Sequence, residues 1–206
     1  MKYSGEYLWP PRPSNSFPSA MINSYEQAGY VAQAKKNGTC TLLVLDPKGN
    51  TTAYDRHHQI QKAWKPPINL TDRIRRMLPS GHAALVCELL HSKVPGIRDT
   101  LYIFDVVAIG NEILEGTTFR ERHKILSPIF KHENMTETHY DHGGGLLYAR
   151  TFAKGHLSLY NSIIKNPEDE GIVVKNPDVK LSSLFREGTN DGWQAKCRRP
   201  TKNYSF

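Results

Sequence analysis

The tetrapeptide Lys35-Lys36-Asn37-Gly38 lies between two strand-like runs, and it constrains the fold of this 206-residue chain most strongly. Residues 31–34 precede it and residues 39–45 follow it. Because Asn-Gly favours positive φ and a tight reversal, the sequence predicts two antiparallel strands joined at this point. A lysine amine held at such a turn and partly removed from water can act as a nucleophile. Ordinary solvated turns share this composition, so the tetrapeptide alone does not define a site.

Composition and charge limit the class of protein. A hydrophobic content of 38% and a charged content of 23% are typical of a soluble globular chain, and no run approaches the ~20 apolar residues of a membrane span. The N-terminus lacks the apolar stretch of a signal peptide. The formal net charge of +7 favours a polyanionic partner such as nucleic acid. Cys40, Cys87 and Cys197 are too widely spaced for a disulfide framework or a zinc knuckle, so we expect a reducing, cytoplasmic location.

Alternating apolar segments predict an α+β protein in two parts. Trp9-Pro10-Pro11-Arg12-Pro13 predicts an extended arm packed on the periphery of the core, followed by a short helix over 18–29. The rest, 30–206, is expected to form one domain. Strands are predicted to end at Lys35 and to cover 40–45, 51–56, 83–90, 101–109, 171–175 and 192–198, with helices over 69–78, 118–130 and 152–164. The first three strands should form an antiparallel meander, and Gly143-Gly144-Gly145 a flexible loop.

Charged residues recur where the apolar strands end. They occur in Cys87-Glu88-Leu89-Leu90, in residues 102–107, in Glu170-Gly171-Ile172-Val173-Val174-Lys175 and in residues 193–198. Such a pattern has two interpretations, the solvated face of a sheet or charges that converge on one cleft. A further cluster, His132, His139 and His142, matches no familiar zinc site, which favours a solvated loop.

In their order, these segments resemble the signature of the covalent nucleotidyltransferase superfamily, which contains ATP-dependent DNA ligases, RNA ligases and mRNA capping enzymes. Lys35 to Gly38 matches Lys-x-Asp/Asn/His-Gly, Glu170 to Lys175 matches Glu-Gly followed by three hydrophobic residues and Lys, and Trp193, Lys196 and Arg198 match the closing motif. The resemblance extends from about Trp9 to Tyr204 and is strongest to short ligase-type proteins of bacteriophages. It implies a nucleotidyltransferase domain of two antiparallel β-sheets flanked by helices, with a nucleotide cleft between them.

The resemblance also implies catalytic roles. Lys35 would attack the α-phosphate of ATP and form a lysyl-AMP intermediate. Lys175, Lys196 and Arg198 would contact that phosphate, and their charge would disfavour protonation of Lys35. Glu170 would bind Mg²⁺ or Mn²⁺, hard cations that prefer oxygen ligands.

Other positions are implied to bind the nucleotide. Gln33 would recognise the adenine edge, since an amide both donates and accepts. Phe104 would stack on adenine, Glu88 would bind the ribose hydroxyls, and Arg56 would meet the ribose or the 5′-phosphate. The remaining implied ATP contacts are Ala34, Asn37 and Gly38. Asp105 has no implied role and could cap the turn after its strand.

The implied function is sealing of 5′-phosphate/3′-hydroxyl breaks in a nicked duplex, with DNA slightly ahead of RNA. The alternatives are an RNA ligase, a non-catalytic nucleotide- or nucleic-acid-binding module of the same fold, and a capping-type guanylyltransferase that uses GTP.

Two features depart from the motif pattern. Cellular DNA ligases usually carry arginine where this chain has Cys40, and a thiol cannot make the bidentate contacts of a guanidinium. The few residues after Arg198 leave no room for the C-terminal OB-fold that ligases and capping enzymes usually append. We therefore expect an adenylation domain alone, for which three explanations are open: a minimal ligase, a slow first step, or a protein partner that supplies the missing function. The protein is expected to be a monomer in the cytoplasm, or in the host cytoplasm if it is phage-encoded, and not to bind membranes.

Overall fold

The structure is a computed structural model that describes residues 1–200, so the predicted extent to Tyr204 and the domain end at 206 lie outside the described residues. The strands are β1 (Asn15–Ser16), β2 (Val31–Lys36), β3 (Thr39–Leu45), β4 (Thr51–Asp55), β5 (Ala83–Leu90), β6 (Thr100–Ile109), β7 (Glu112–Ile113), β8 (His139–Asp141), β9 (Leu146–Ala149), β10 (Asp169–Lys175) and β11 (Gln194–Arg198). The α-helices are α1 (Ile22–Gln27), α2 (Ile68–Met77), α3 (Phe119–Phe130) and α4 (His156–Ile163).

The strands form two sheets with flanking helices, which confirms the predicted α+β architecture. The small sheet has the order β1-β11-β10-β2, and the large sheet has the order β4-β3-β5-β6-β9-β8 with β7 beside β6. Two pairings, β1 with β11 and β6 with β9, are parallel, whereas the prediction was of antiparallel sheets. β9 can run parallel to β6 because α3 provides the long crossover that such a pair needs.

The predicted hairpin at Asn37-Gly38 is wrong. β2 pairs with β10 in the small sheet, whereas β3 pairs with β4 and β5 in the large sheet, so the chain changes sheets here. Neither Asn37 nor Gly38 is among the residues with positive φ in the described part of the chain. Gly38 is required for space instead, because a Cβ atom there would lie 2.6 Å from the backbone oxygen of Leu89. Of the meander, only the β3–β4 hairpin is confirmed.

The small sheet has two chemically different faces, because successive side chains of a strand point to opposite sides. One face is apolar and packs against α1 and α4 through Ile22, Leu159 and Ile163. We call it the core face; it consists of Ala32, Ala34, Ile172, Val174, Ala195 and Cys197. The other face looks towards the large sheet. We call it the cavity face; it carries Gln33, Lys35, Lys175, Gln194, Lys196 and Arg198.

The large sheet packs α2 and α3 against a second core. Leu70 and Ile74 of α2 and Leu126 and Phe130 of α3 are buried there. Thr118 begins α3 with a capping box to Glu121. None of the helices in residues 1–200 combines the length and apolar character needed to cross a membrane.

Three local predictions need correction. Asp105 does not cap a turn; it lies within β6 and forms a buried bidentate ion pair with Arg122 of α3, with N–O distances of 2.9 and 3.0 Å. α4 begins at His156 rather than at Phe152, whose backbone bonds with Ala32 instead. The short strands β8 and β9 were not predicted. They flank the Gly143–Gly145 loop, which the sequence did predict.

Candidate active site

A cavity of about 450 Å³ lies between the two sheets. It brings together nearly all of the predicted site residues, which were scattered over 165 positions of sequence from Gln33 to Arg198. Those that line it are Gln33, Ala34, Lys35, Gly38, Arg56, Glu88, Phe104, Glu170, Lys175, Lys196 and Arg198. Asn37 is not among the lining residues, and its backbone N–H donates to the carbonyl of Glu168 at 2.8 Å.

Strand register explains why the cations of the cavity face converge. Gly171 on the central strand β10 lies between Lys35 of β2 and Arg198 of β11. Two residues along β10, Val173 lies between Gln33 and Lys196 in the same way. Since the side-chain period of a strand is two, the whole set shares one face.

Glu170 reaches this face through an irregularity of β10. Asp169 pairs with Lys36 and Gly171 pairs with Lys35, so Glu170 is an extra residue without a partner on β2. Such a bulge re-aims a side chain. Gly171 makes the bulge possible because its φ is +137° and a Cβ atom would lie 2.0 Å from the carbonyl oxygen of Cys197. The Glu-Gly pair of the motif therefore has a backbone explanation.

Lys35 forms an ion pair with Glu170 at the edge of the cavity. The side chains of Lys35 and Glu170 are 16% and 24% exposed, and Glu170 also lies 3.4 Å from Nε of Arg198. The amine is held against this carboxylate, so its nitrogen is not free to approach a ligand in the cavity. A reaction at Lys35 therefore requires this pair to open.

Lys175 is buried more deeply than the other lysines of the cavity face. Burial lowers the pKa of Lys175 to about 8, with Asp105 opposing and Arg122 adding to the shift. Its amine lies 4.4 Å from the ring centre of Phe119 and 5.0 Å from that of Phe104. Lys175 is therefore a cation whose charge is only partly compensated, which suits a phosphate ligand.

Lys196 is less deeply placed than Lys175. Burial, followed by the charges of Arg198 and Lys35, lowers its pKa. Its amine donates to the carbonyl of Pro13 at 3.1 Å. This bond ties a cation of the cavity face to the N-terminal arm.

Hydrogen-bonding and aromatic groups line the part of the cavity near Phe104. Gln33 is buried, and its amide nitrogen donates to Thr151 Oγ1 at 3.0 Å and to the carbonyl of Phe104 at 3.5 Å. Within residues 1–200 no donor bonds its Oε1 atom, which leaves an acceptor for a ligand. Burial raises the pKa of Glu88 to about 7, although Lys35 and Lys93 oppose this.

Lys93, Gln194 and Arg12 are among the lining residues that sequence reasoning missed. Lys93 donates to the carbonyl of Gly38, and no motif marked it. Gln194 is buried and its Nε2 atom has no hydrogen-bond partner in the described residues. Gln194 lies two residues before Lys196 on a predicted strand, and this spacing indicates that the two side chains share one face. Arg12 lines the cavity together with Pro11 and Pro13, so the arm is a wall of the site rather than a peripheral segment.

The carboxylates present fit a metal ion that arrives with phosphates. In residues 1–200, no group of three or more His, Cys, Asp or Glu side chains is arranged so that it could hold a metal ion by itself. His132, His139 and His142 therefore do not form such a group. Mg²⁺ is commonly held by one or two carboxylates plus substrate phosphates. Glu170, beside Lys35 in the cavity, supplies a carboxylate of this kind.

Comparisons with solved structures identify the fold. Mycobacterial DNA ligase D, solved with ATP and MES, superposes with a TM-score of 0.64 at 16% identity over 93% of this chain and 60% of its own. The ligase domain of M. tuberculosis LigD gives 0.64 at 15% identity over 93% and 59%. The ATP-dependent DNA ligase of bacteriophage T7, in complex with ATP, gives 0.52 at 15% identity over 91% and 68%.

These similarities show that the chain has the nucleotidyltransferase fold of ligase adenylation domains. The chain spans about 60% of the length of the mycobacterial structures. No family model and no curated protein sequence matches it.

Proposed function

We propose that this chain is the adenylyltransferase domain of an ATP-dependent polynucleotide ligase that acts through a lysyl-AMP intermediate, with DNA favoured slightly over RNA. One observation carries the proposal. Lys35, which occupies the nucleophile position of the motif, faces a cavity that also contains Glu170, Lys175, Lys196 and Arg198. Once Glu170 has released it, an amine beside several cations is the arrangement that nucleophilic attack on a phosphate requires.

In the proposed first step the Nζ atom of Lys35 attacks the α-phosphorus of ATP. An N–P bond forms and the P–O bond to pyrophosphate breaks. The nitrogen gives up protons to solvent water until the single N–H of the phosphoramidate remains. Lys175, Lys196 and Arg198 hold the negative charge of the α-phosphate. Mg²⁺, when bound, supplies further charge neutralisation at the phosphates. Glu170 must release Lys35 before attack, and its carboxylate would be the group that holds a divalent metal arriving with the phosphates.

The second and third steps transfer the adenylate. The 5′-phosphate oxygen of a nicked strand attacks the phosphorus of lysyl-AMP, and the N–P bond to Lys35 breaks. A 3′-hydroxyl then attacks the activated 5′-phosphate, so that a phosphodiester bond forms and AMP leaves. The net charge of +7 suits a nucleic-acid substrate. The DNA ligases among the structural neighbours favour DNA over RNA as the proposed substrate.

Gln33 supports ATP over GTP. Its amide nitrogen is engaged by Thr151 and Phe104, so the group left for a base is the acceptor Oε1. Adenine offers a donor, its N6 amine, where guanine has the acceptor O6. In the proposed complex Phe104 stacks on the base, and Glu88 accepts hydrogen bonds from the ribose hydroxyls.

We further propose that the protein acts as a cytoplasmic monomer. Because the chain spans about 60% of its mycobacterial neighbours, the functions of their unmatched parts would come from another segment or a protein partner.

The test is incubation with [α-³²P]ATP and Mg²⁺, followed by denaturing electrophoresis. We expect a covalent label in the wild type and in Lys48→Ala, an exposed lysine outside the cavity, and loss of label in Lys35→Ala. Labelled Lys35→Ala would refute the nucleophile assignment. Transfer from the labelled protein to nicked DNA and RNA duplexes then identifies the substrate.

The same experiment separates the alternatives. ATP or strand binding without any covalent label would indicate a non-catalytic binding module. Preferential labelling by GTP would indicate a guanylyltransferase. Sealing of RNA but not DNA would identify an RNA ligase.

A further inference from the structure

The N-terminal arm is fixed over the cavity by bonds on both sides of Arg12. The backbone N–H of Trp9 donates to the carbonyl of Leu184 at 2.7 Å. After Arg12, Ser14 Oγ donates to the carbonyl of Asp191 at 3.0 Å, and β1 continues parallel to β11. The arm is therefore held against the small sheet, and it presents Arg12 to the cavity.

Arg12 lines the same cavity as Lys35, Lys196 and Arg198. The next residue, Pro13, accepts the hydrogen bond from Lys196. Burial, with Glu88 adding to it, raises the pKa of Cys40 to about 12, and the charges acting against this shift are those of Arg12, Lys35 and Arg56. Arg12 thus acts electrostatically on the place where cellular DNA ligases carry arginine and this chain carries a neutral thiol.

The present partner of Arg12 can be exchanged. Its guanidinium lies 2.8 Å from Glu187, whose side chain is 53% exposed, while that of Arg12 is 24% exposed. Exposed ion pairs are weak because water screens them and two long side chains must be ordered. A guanidinium binds phosphate oxygens through bidentate, charge-assisted bonds, and a triphosphate carries several negative charges.

We infer that Arg12 binds phosphate in this cavity. When the nucleotide binds, the guanidinium breaks its ion pair with Glu187 and pairs with a phosphate group instead. The inference rests on the proposed function, since it takes ATP as the ligand. The arm then supplies, from a different part of the chain, the guanidinium that position 40 lacks. Glu187 is a competitor that must be displaced when ATP binds.

The test compares ATP and adenosine binding by calorimetry without divalent metal, so that no covalent label forms. Arg12→Ala should weaken ATP binding about 10- to 100-fold and leave adenosine binding within about twofold of wild type. Glu187→Ala should tighten ATP binding about two- to threefold, because it removes the competitor. Arg120→Ala is the matched control: it removes an arginine from another exposed ion pair, with Asp178, outside the cavity lining, and should change neither affinity.

The outcomes separate this inference from the proposed function. If the wild type binds and is labelled by ATP but Arg12→Ala binds ATP normally, the role of Arg12 is overturned while the function stands. If Glu187→Ala weakens ATP binding as much as Arg12→Ala, the pair is only a structural tie of the arm. Should Arg12→Ala fail to fold, the sign of the Glu187→Ala effect decides. A wild type that binds no ATP overturns both.

Discussion

Lys35 and Lys36 are neighbours on β2, yet they lie in opposite surroundings. Lys35 belongs to the cavity face, is partly exposed, and pairs with Glu170 at the bulge of β10. Lys36 is buried, and its amine lies 3.0 Å from Asp169 and 3.3 Å from Glu168. The ring centre of Tyr102 lies 5.7 Å from the same amine.

The difference shows how one strand separates a reactive amine from a structural one. Water and ligands can reach the Lys35 pair, so its partner can be exchanged. The Lys36–Asp169 pair is buried away from water. Each charge stabilises the other, because an unpaired buried ion carries a large desolvation penalty. A shift of register by one residue would exchange the two environments.

Removal of the buried Lys36 amine is the most sensitive test of the difference between the two lysines. Lys36→Ala leaves the carboxylate of Asp169, which is 1% exposed, without its cation. Breaking a buried pair from one side costs about 3–5 kcal/mol, and we expect this loss in urea unfolding. Lys35→Ala should cost less than about 1 kcal/mol, because its pair is partly exposed.

A double variant provides the control for this prediction. Lys36→Met with Asp169→Asn removes both charges and should recover part of the stability lost in Lys36→Met alone. Equal destabilisation by Lys35→Ala and Lys36→Ala would contradict the assignment of one pair as exchangeable and the other as structural.

The bulge that separates the two lysines can be tested through Gly171. Its φ of +137° and the 2.0 Å approach to Cys197 leave no space for a side chain. Gly171→Ala should destabilise the protein by about 3 kcal/mol through backbone strain and overpacking, measured by urea unfolding. Gly192→Ala is the control, because no atom lies within 4 Å of its added Cβ. If both variants unfold alike, the bulge does not depend on Gly171.

Much of the fold could be predicted because local patterns decide it. The apolar run of residues 171–175 and the sequence of residues 194–198 predicted strands, and the structure confirms them as β10 and β11. The Asn37-Gly38 turn could not be predicted correctly, since Gly38 is needed for its close approach to Leu89 of a different strand. Such long-range contacts leave no local signal.

The candidate site shows the same limit. The candidate site residues were found because the order and spacing of the motifs are specific, and all of them except Asn37 line the cavity. Arg12 was missed because consecutive prolines predict an extended arm but not where that arm packs. Its position depends on bonds to Leu184 and Asp191, more than 170 residues away. The roles of these residues remain predictions until the labelling experiment is done.

The smallest expected effect concerns pH, and it distinguishes the cavity from the apolar core face. Glu88 is the accepting carboxylate above its pKa of about 7, and Lys175 is the cation below its pKa of about 8. ATP affinity should therefore be highest between pH 7 and 8. It should fall by at most about tenfold per pH unit on either side, where one group changes charge.

Single substitutions identify which group causes the loss of ATP affinity on each side of this pH optimum. Glu88→Gln cannot titrate, so the decline below pH 7 should disappear although the affinity at pH 7.5 is lower. Lys175→Arg keeps its charge at high pH, so the decline above pH 8 should disappear. Calorimetric titration with ATP between pH 5.5 and 9.5 measures both. A profile that neither variant changes would show that the titration of Glu88 and Lys175 does not control ATP affinity.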